Sequence, residues 1–292
     1  MNQFFYLFES LRPKQWVKNL IVFAALIFAQ KALVLKLSLR AVFAFVVFCG
    51  ISSCIYLIND LKDIKKDKLH PDKSRRPLAS GKLSKSPALL FLICFTPLFL
   101  FLAFWFNLFF GIVVFIYFVL MLAYTFYLKE IVILDAFIIS TGYVLRGVAG
   151  AVIVSVEISF WFFICASLLA LFIVFCKRRH ELLILDAESI KHRRVLVEYN
   201  TLLLDQFISI VAASTVVAYS LYTVAPETIL KFHTENLIFT IPFVLFGLFR
   251  YLYLVYKKDG GGSAEKIMLS DKPLIFDMFA WLLVVFLVLY YR

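Results

Sequence analysis

The chain has 292 residues, of which 63% are hydrophobic and 17% charged, and its mean hydropathy is +0.93. Soluble domains are about half apolar and about a quarter charged, so this composition excludes a water-soluble globule and makes lipid the solvent. The net charge of +11 would suggest nucleic acid in a soluble protein. In a membrane chain Lys and Arg gather on the cytoplasmic side instead, and no nucleic acid partner is expected.

The N-terminal stretch carries Phe4, Phe5 and Phe8, then Arg12, Lys14 and Lys18, with no small-residue cleavage site after a short apolar core. It is not read as a signal peptide. A helix needs roughly 20 apolar residues to span a bilayer. Nine segments meet that need, at about 19–35, 39–59, 88–106, 108–127, 131–153, 158–176, 206–225, 236–256 and 273–290. The expected fold is therefore an all-α, polytopic membrane helix bundle, with residues 1–292 as one transmembrane domain. With the N-terminus inside, segments 1–18, 60–87, 128–130, 177–205 and 257–272 face the cytoplasm and carry 23 of the 30 Lys and Arg. That bias fixes the expected orientation in a cell (inner or plasma) membrane. The long inner loops at 60–87 and 177–205 are the places to look for function. The five cysteines lie in or at the ends of apolar segments without metal-ligand spacing, and are read as packing residues.

The second span ends in Asn59-Asp60-Leu61-Lys62-Asp63-Ile64-Lys65-Lys66-Asp67. If its helix continues past the lipid, Asn59, Asp60, Asp63 and Asp67 fall within an arc of about 100°. Three carboxylates and an amide on one face repel one another unless a cation joins them, and all-oxygen ligands suit Mg²⁺. Next come His70-Pro71-Asp72-Lys73-Ser74-Arg75-Arg76-Pro77, where Arg75 and Arg76 beside a turn can clamp phosphate. Further on, Asp135 and Arg146 lie 11 residues apart in an apolar segment, about 20° from each other on a helix and on one face with Gly142. Charges at membrane depth usually face a polar cavity, although an ion pair with another helix is the alternative. Gly142, Gly147 and Gly150 can also serve close helix packing. After the sixth span, Lys177, Glu181 and Glu188 share a face with Arg178 beside it.

The Asn-Asp-x-x-Asp-x-x-x-Asp motif with its following Arg-Arg-Pro loop resembles the UbiA superfamily, whose members use it to hold Mg²⁺ and, through the metal, a pyrophosphate. The resemblance gives Asn59, Asp60, Asp63 and Asp67 that role. Further stretches, in order, resemble the branch that transfers phosphoribosyl to polyprenyl phosphates. They are Leu11-Arg12-Pro13-Lys14-Gln15-Trp16-Val17-Lys18-Asn19-Leu20, then Tyr124-Thr125-Phe126-Tyr127-Leu128-Lys129 with Asp135, and then Leu145-Arg146-Gly147. Lys177-Arg178-Arg179-His180-Glu181-Leu182, Gly260-Gly261-Gly262 with Glu265, and Asp271-Lys272-Pro273-Leu274 complete the set. Members that use a prenyl diphosphate donor carry a second Asp-rich motif after the sixth span, where this chain has mostly cations.

What the resemblance implies is a membrane transferase with two substrates, phosphoribosyl pyrophosphate and a polyprenyl phosphate of decaprenyl type. Asp60, Asp63, Asp67, Lys129 and Asp135 are its expected catalytic residues. Lys14, Lys18, Asn59, Arg75, Arg76, Tyr124, Arg146, Lys177, Arg178 and Glu181 are its expected substrate-binding residues. Mg²⁺ is the expected cofactor, a homo-oligomer is left open, and in the resembling family the product feeds cell-envelope glycans. Two alternatives stand beside this reading. One is prenyl transfer from a diphosphate to an aromatic, 4-hydroxybenzoate-like acceptor, for which Glu181, Asp186 and Glu188 are the available carboxylates. The other is a transporter, which gives no reason for carboxylates clustered in a loop beside paired arginines.

Overall fold

A computed structural model describes residues 3–69, 73–157, 159–184, 194–258, 267 and 270–291. The motif residues at 70–72, 186, 188, 260–262 and 265 lie outside this set. The described residues form helices, single turns and connectors, with no strand among them. A short α1 (Gln3–Ser10) is followed by a 3₁₀ helix (Pro13–Phe23) and α2 (Ala24–Phe28). The longer elements are α3 (Leu35–Lys68), α4 (Lys85–Phe106), α5 (Leu108–Phe126), α6 (Leu134–Val154) and α7 (Phe160–Ile184). A single turn α8 (Arg194–Val197) precedes α9 (Thr201–Val224), α10 (Pro226–Phe232), α11 (Ile241–Lys257) and α12 (Lys272–Tyr290).

Among the described residues, eight helices are long and apolar enough to cross a membrane, at α3 to α7, α9, the segment Asn236–Lys257, and α12. The segment expected at 19–35 differs, because it is divided between the 3₁₀ helix, α2 and a turn containing Gln30 at φ 55°. Lys31 and Lys36 crowd its end, and a 3₁₀ helix rises faster per residue than an α-helix, so fewer residues cover the same depth. Phe, Leu, Val and Ile cover the outer faces, with Phe101, Phe109, Leu230, Phe276 and Phe279 all more than 60% exposed. Lipid rather than water is the natural partner of such a surface.

The chain folds into two compact units. The first comprises residues 1–138, 145–157 and 187–194; the second comprises 139–144, 158–186 and 195–292. In the first unit, Val22, Phe48, Ile51, Phe110, Val114 and Ala149 are fully buried in one core. Here the 3₁₀ helix lies directly on α6, since a Cβ added to Gly150 would come within 2.0 Å of the Val22 carbonyl oxygen. Any side chain at 150 would force the two backbones apart.

In the second unit α7, α9, α11 and α12 pack together, with Phe172 against Tyr251 and Phe175 against Phe207. A buried polar tie joins Tyr219, Thr240 and Trp281: the Tyr219 and Thr240 hydroxyls are 2.7 Å apart, and Trp281 Nε1 donates to the Tyr219 oxygen at 3.0 Å. A hydroxyl or indole N–H in an apolar setting needs such a partner. Helix starts are capped locally, by Asn107 for α5, Asn200 for α9 and Asp271 for α12, each accepting from the backbone N–H three residues on.

Candidate active site

α3 carries the acidic motif because it is longer than a membrane requires. At about 1.5 Å per residue its 34 residues reach roughly 51 Å, against about 30 Å of hydrocarbon. Its last turns hold Asn59, Asp60, Asp63 and Asp67, and Lys65, Lys66 and Lys68 near the C-terminus complement the helix dipole.

The acidic arc divides into two halves. Asp60 and Asp67, about 20° apart on the helix, share Arg76, whose Nη1 donates to Asp60 Oδ1 at 3.0 Å and to Asp67 Oδ2 at 2.7 Å. Arg12 Nη2 also donates to Asp60 Oδ1, and the Arg12 guanidinium lies 4.9 Å over the Tyr56 ring. Asn59 and Asp63, four residues apart, face Lys129, whose Nζ lies 2.5 Å from Asp63 Oδ2 and 3.4 Å from Asn59 Oδ1. Three carboxylates thus meet three cations brought from three separate segments. Asp60 and Asp67 are buried, at 2% and 5% exposure, where an unpaired carboxylate would be costly.

Each cation is placed by its own local structure. Arg12 has φ 55° and ψ 62° and starts the 3₁₀ helix, a left-handed conformation uncommon for a residue with a Cβ. Its neighbours are pinned to α3: Ser53 Oγ donates to the Leu11 carbonyl at 2.9 Å, and Trp16 Nε1 donates to Ser53 Oγ at 3.0 Å. Arg76 follows a 3₁₀ turn at Lys73–Arg75, and its N–H donates to the Lys73 carbonyl. Lys129 sits in a 3₁₀ turn just beyond α5. Lys62 Nζ donates to the Thr125 and Phe126 carbonyls at 2.7 and 2.9 Å, satisfying orphan carbonyls of α5 and holding that helix end against α3.

A second buried charge lies deeper in the same unit. Arg146, 5% exposed, donates from Nε to Asn19 Oδ1 at 2.7 Å and from Nη2 to the Tyr117 hydroxyl at 2.6 Å. Asn19 in turn donates to Ser52 Oγ and Cys49 Sγ, both at 3.3 Å. Asp135 is fully buried near the start of α6. The shared face of Asp135 and Arg146 does not make them direct partners, because 11 residues of helix separate them by roughly 16 Å.

The remaining expected residues are placed as follows. Lys14 and Arg75 are exposed, Lys18 and Tyr124 are partly buried, and Arg76 rather than Arg75 touches the aspartates. In the second unit, Lys177 is exposed near the end of α7, while Arg178 is 1% exposed and donates to Glu181 Oε2 at 2.8 Å. Among the described residues no group of three or more His, Cys, Asp or Glu is arranged as a ready set of metal ligands. In kind, the donors fit Mg²⁺: three carboxylates and an amide oxygen on one helix face.

One contribution to the site and one buried carboxylate of the second unit escape a reading of the sequence. Arg12 stands out there only as part of a basic stretch, although Cys49, Ser52, Ser53, Tyr56 and Asp60 recur at helical spacing and mark the polar face it meets. Asp277, buried within α12, carries no motif. Its Oδ2 lies 3.0 Å from where a Cβ on Gly247 would sit, so glycine leaves it room.

Comparison with known proteins adds to this geometry. Residues 19–283 match the UbiA prenyltransferase family. The decaprenyl-phosphate phosphoribosyltransferase of Mycolicibacterium smegmatis is 32% identical, with 94% of this chain and 90% of that protein covered. The enzymes of the same name from Corynebacterium glutamicum and Mycobacterium tuberculosis are 32% and 30% identical, over 97% and 94% of this chain and 86% and 91% of theirs. Among solved structures, a UbiA homolog from Archaeoglobus fulgidus bound to GPP and Mg²⁺ superposes with a TM-score of 0.73 at 20% identity, covering 97% of this chain and 99% of its own. That likeness concerns the fold.

Proposed function

Because the chain belongs to the UbiA prenyltransferase family, we propose that it is a membrane transferase moving 5-phosphoribosyl from phosphoribosyl pyrophosphate to a polyprenyl phosphate of decaprenyl type, with release of pyrophosphate. Relatives bearing that activity in their name match it over nearly their whole length. The observation that carries the reading is the pairing of Asp60, Asp63 and Asp67 with Arg12, Arg76 and Lys129. A magnesium diphosphate has both halves of what this arrangement can bind, a cation for the carboxylates and phosphate oxygens for the arginines and lysine. Asn59, Asp60, Asp63 and Asp67 would hold Mg²⁺, which supplies positive charge to the departing pyrophosphate.

The chain's own residues do the rest. Arg12, Arg76 and Lys129 turn from carboxylate to phosphate oxygens as the donor enters, with Lys14, Lys18 and Arg75 adding positive charge. The ribosyl C1 gains oxocarbenium character as its leaving group departs, and a lipid phosphate oxygen attacks C1. That oxygen is already ionised near neutral pH, so positioning matters more than a general base. Asp135, Tyr124 and Arg146 are assigned to placing the substrates, and Lys177, Arg178 and Glu181 to phosphate recognition. Residues 1–292 form the one transmembrane domain that does this, in the cell membrane, with the N-terminus and the aspartates on the cytoplasmic side where the donor is soluble.

The test is to incubate purified protein with Mg²⁺, labelled phosphoribosyl pyrophosphate and a polyprenyl phosphate, and to measure label in the lipid fraction. Label with wild type, and its loss in Asp63→Ala, is the expected result. No label, together with prenylation of an aromatic acceptor from a prenyl diphosphate, would move the chain to the ordinary prenyltransferases.

A further inference from the structure

The end of α7 has a mechanical problem. At about 1.5 Å per residue, 25 residues reach roughly 37 Å, so little more than the last turn extends beyond about 30 Å of hydrocarbon. Lipid does not support it there, and helix ends fray. Glu181 lies in that turn, and Lys177 and Arg178 lie in the turn before it, where the apolar run of α7 has ended.

Arg179 ties this segment down. Its Nε donates to Asp205 Oδ1 on α9 at 2.6 Å, and its guanidinium lies 4.1 Å over the Tyr256 ring of α11. The Tyr256 hydroxyl donates to the same Asp205 oxygen at 2.8 Å. Three helices meet at one carboxylate. Asp205 lies in the second turn of α9. A flat guanidinium can donate in its plane and stack through its face at once, which an ammonium cannot. Successive helix residues point about 100° apart, so fixing the direction of Arg179 fixes the directions of Lys177 and Arg178.

We infer that Arg179, Asp205 and Tyr256 form a clamp whose task is positional, holding the end of α7 so that Lys177 and Arg178 meet a phosphate group of a substrate. The inference rests on the phosphoribosyl-transfer reading above. The phosphate has two sources, the sugar donor or the polyprenyl phosphate, and the chemistry of recognition is the same for both.

The experiment uses the full chain in lipid nanodiscs and compares wild type with Asp205→Ala, Tyr256→Phe and Arg179→Lys. Two quantities are read: amide hydrogen exchange over residues 177–184, and KM and kcat with each substrate varied in turn. Asp205→Ala is expected to speed exchange in that segment while α12 stays unchanged. KM for one substrate should rise about tenfold, with kcat within about twofold. Tyr256→Phe, which keeps the ring, should fall between it and wild type. A KM effect confined to phosphoribosyl pyrophosphate assigns the sugar donor's phosphate; one confined to the polyprenyl phosphate assigns the lipid's. Unchanged exchange overturns the clamp, and so does a loss confined to kcat or faster exchange with both KM values unmoved. If Asp205→Ala fails to fold, Arg179→Lys and Tyr256→Phe carry the same comparison. Wild type that transfers no label overturns the transfer reading instead, and the exchange measurement still decides the clamp.

Discussion

The polar ends of α3 and α7 use the same chemistry with the signs exchanged. On α3 one helix supplies the acids, and the N-terminal segment, the loop before α4 and the turn after α5 each bring a cation. On α7 one helix supplies the cations, Arg178 and Arg179, and carboxylates answer them from the same helix at Glu181 and from α9 at Asp205. A helix that gathers like charges needs counter-charges close by, and those brought from other segments tie its end to them. Under the proposed function, the α3 end would take the metal and the α7 end a phosphate.

The largest effect that would sharpen this contrast is at Asp60. Asp60→Ala is expected to lower label transfer by about 10²–10³-fold, since both the proposed metal ligand and the partner of Arg12 and Arg76 are lost. Glu181→Gln should cost far less, because Glu181 is assigned to phosphate recognition and not to holding the metal. Comparable losses in the two variants would erase the distinction between the ends. Metal removal separates them again: a chelator should abolish transfer and added Mg²⁺ restore it, whereas exchange at residues 177–184 should not respond to either.

Next comes the packing beneath the α3 end. Gly150→Ala should destabilise the first unit by about 3 kcal/mol, as an overpacked contact does, read as a lower thermal midpoint in detergent. A variant as stable as wild type would mean that the 3₁₀ helix is not held against α6. Within the loop before α4, Arg76→Ala should reduce transfer by about tenfold or more and Arg75→Ala by less than about threefold, the difference measuring one charge-assisted hydrogen-bond set. Equal effects would show that total loop charge matters rather than the contacts of Arg76.

The smallest effect is at the start of α12. Asp271 caps that helix by accepting from the Leu274 N–H, and Arg250 donates to both its oxygens at 3.0 and 2.8 Å. The Arg250 hydrogen bond, the cap and the guanidinium's charge hold its carboxyl below the usual range. The stabilisation is therefore present above about pH 4, the ordinary carboxylate value, and fades as pH falls through the lowered one. Asp271→Ala should cost about 1 kcal/mol at neutral pH, and the gap from wild type should close in acid. A gap that persists at low pH would assign the effect to packing.

Much of this was legible in the residues. Composition and charge bias required a polytopic helix bundle, and the 3- and 4-residue spacing of the acids placed them on one face of α3. The 19–35 segment reads as a plain span because hydropathy does not register a 3₁₀ helix or a left-handed Arg12. Arg76 could not be told from Arg75, since adjacent residues of like charge have the same sequence signal. Asp205 and Tyr256 carried no motif, and they matter only because α9 and α11 bring them to Arg179.

The sequence by itself determined that the chain lives in lipid, that its acids collect at the end of α3, and which family it resembles. These are properties of local periodicity and local composition, which a helix expresses wherever it sits. Only the tertiary structure decided which cation meets which carboxylate. Arg12 and Asp60 are 48 residues apart, and Lys129 and Asp63 are 66. Side chains that distant become partners through packing contacts such as Gly150 on Val22 and the Lys62 ammonium on the end of α5, and no spacing rule encodes those.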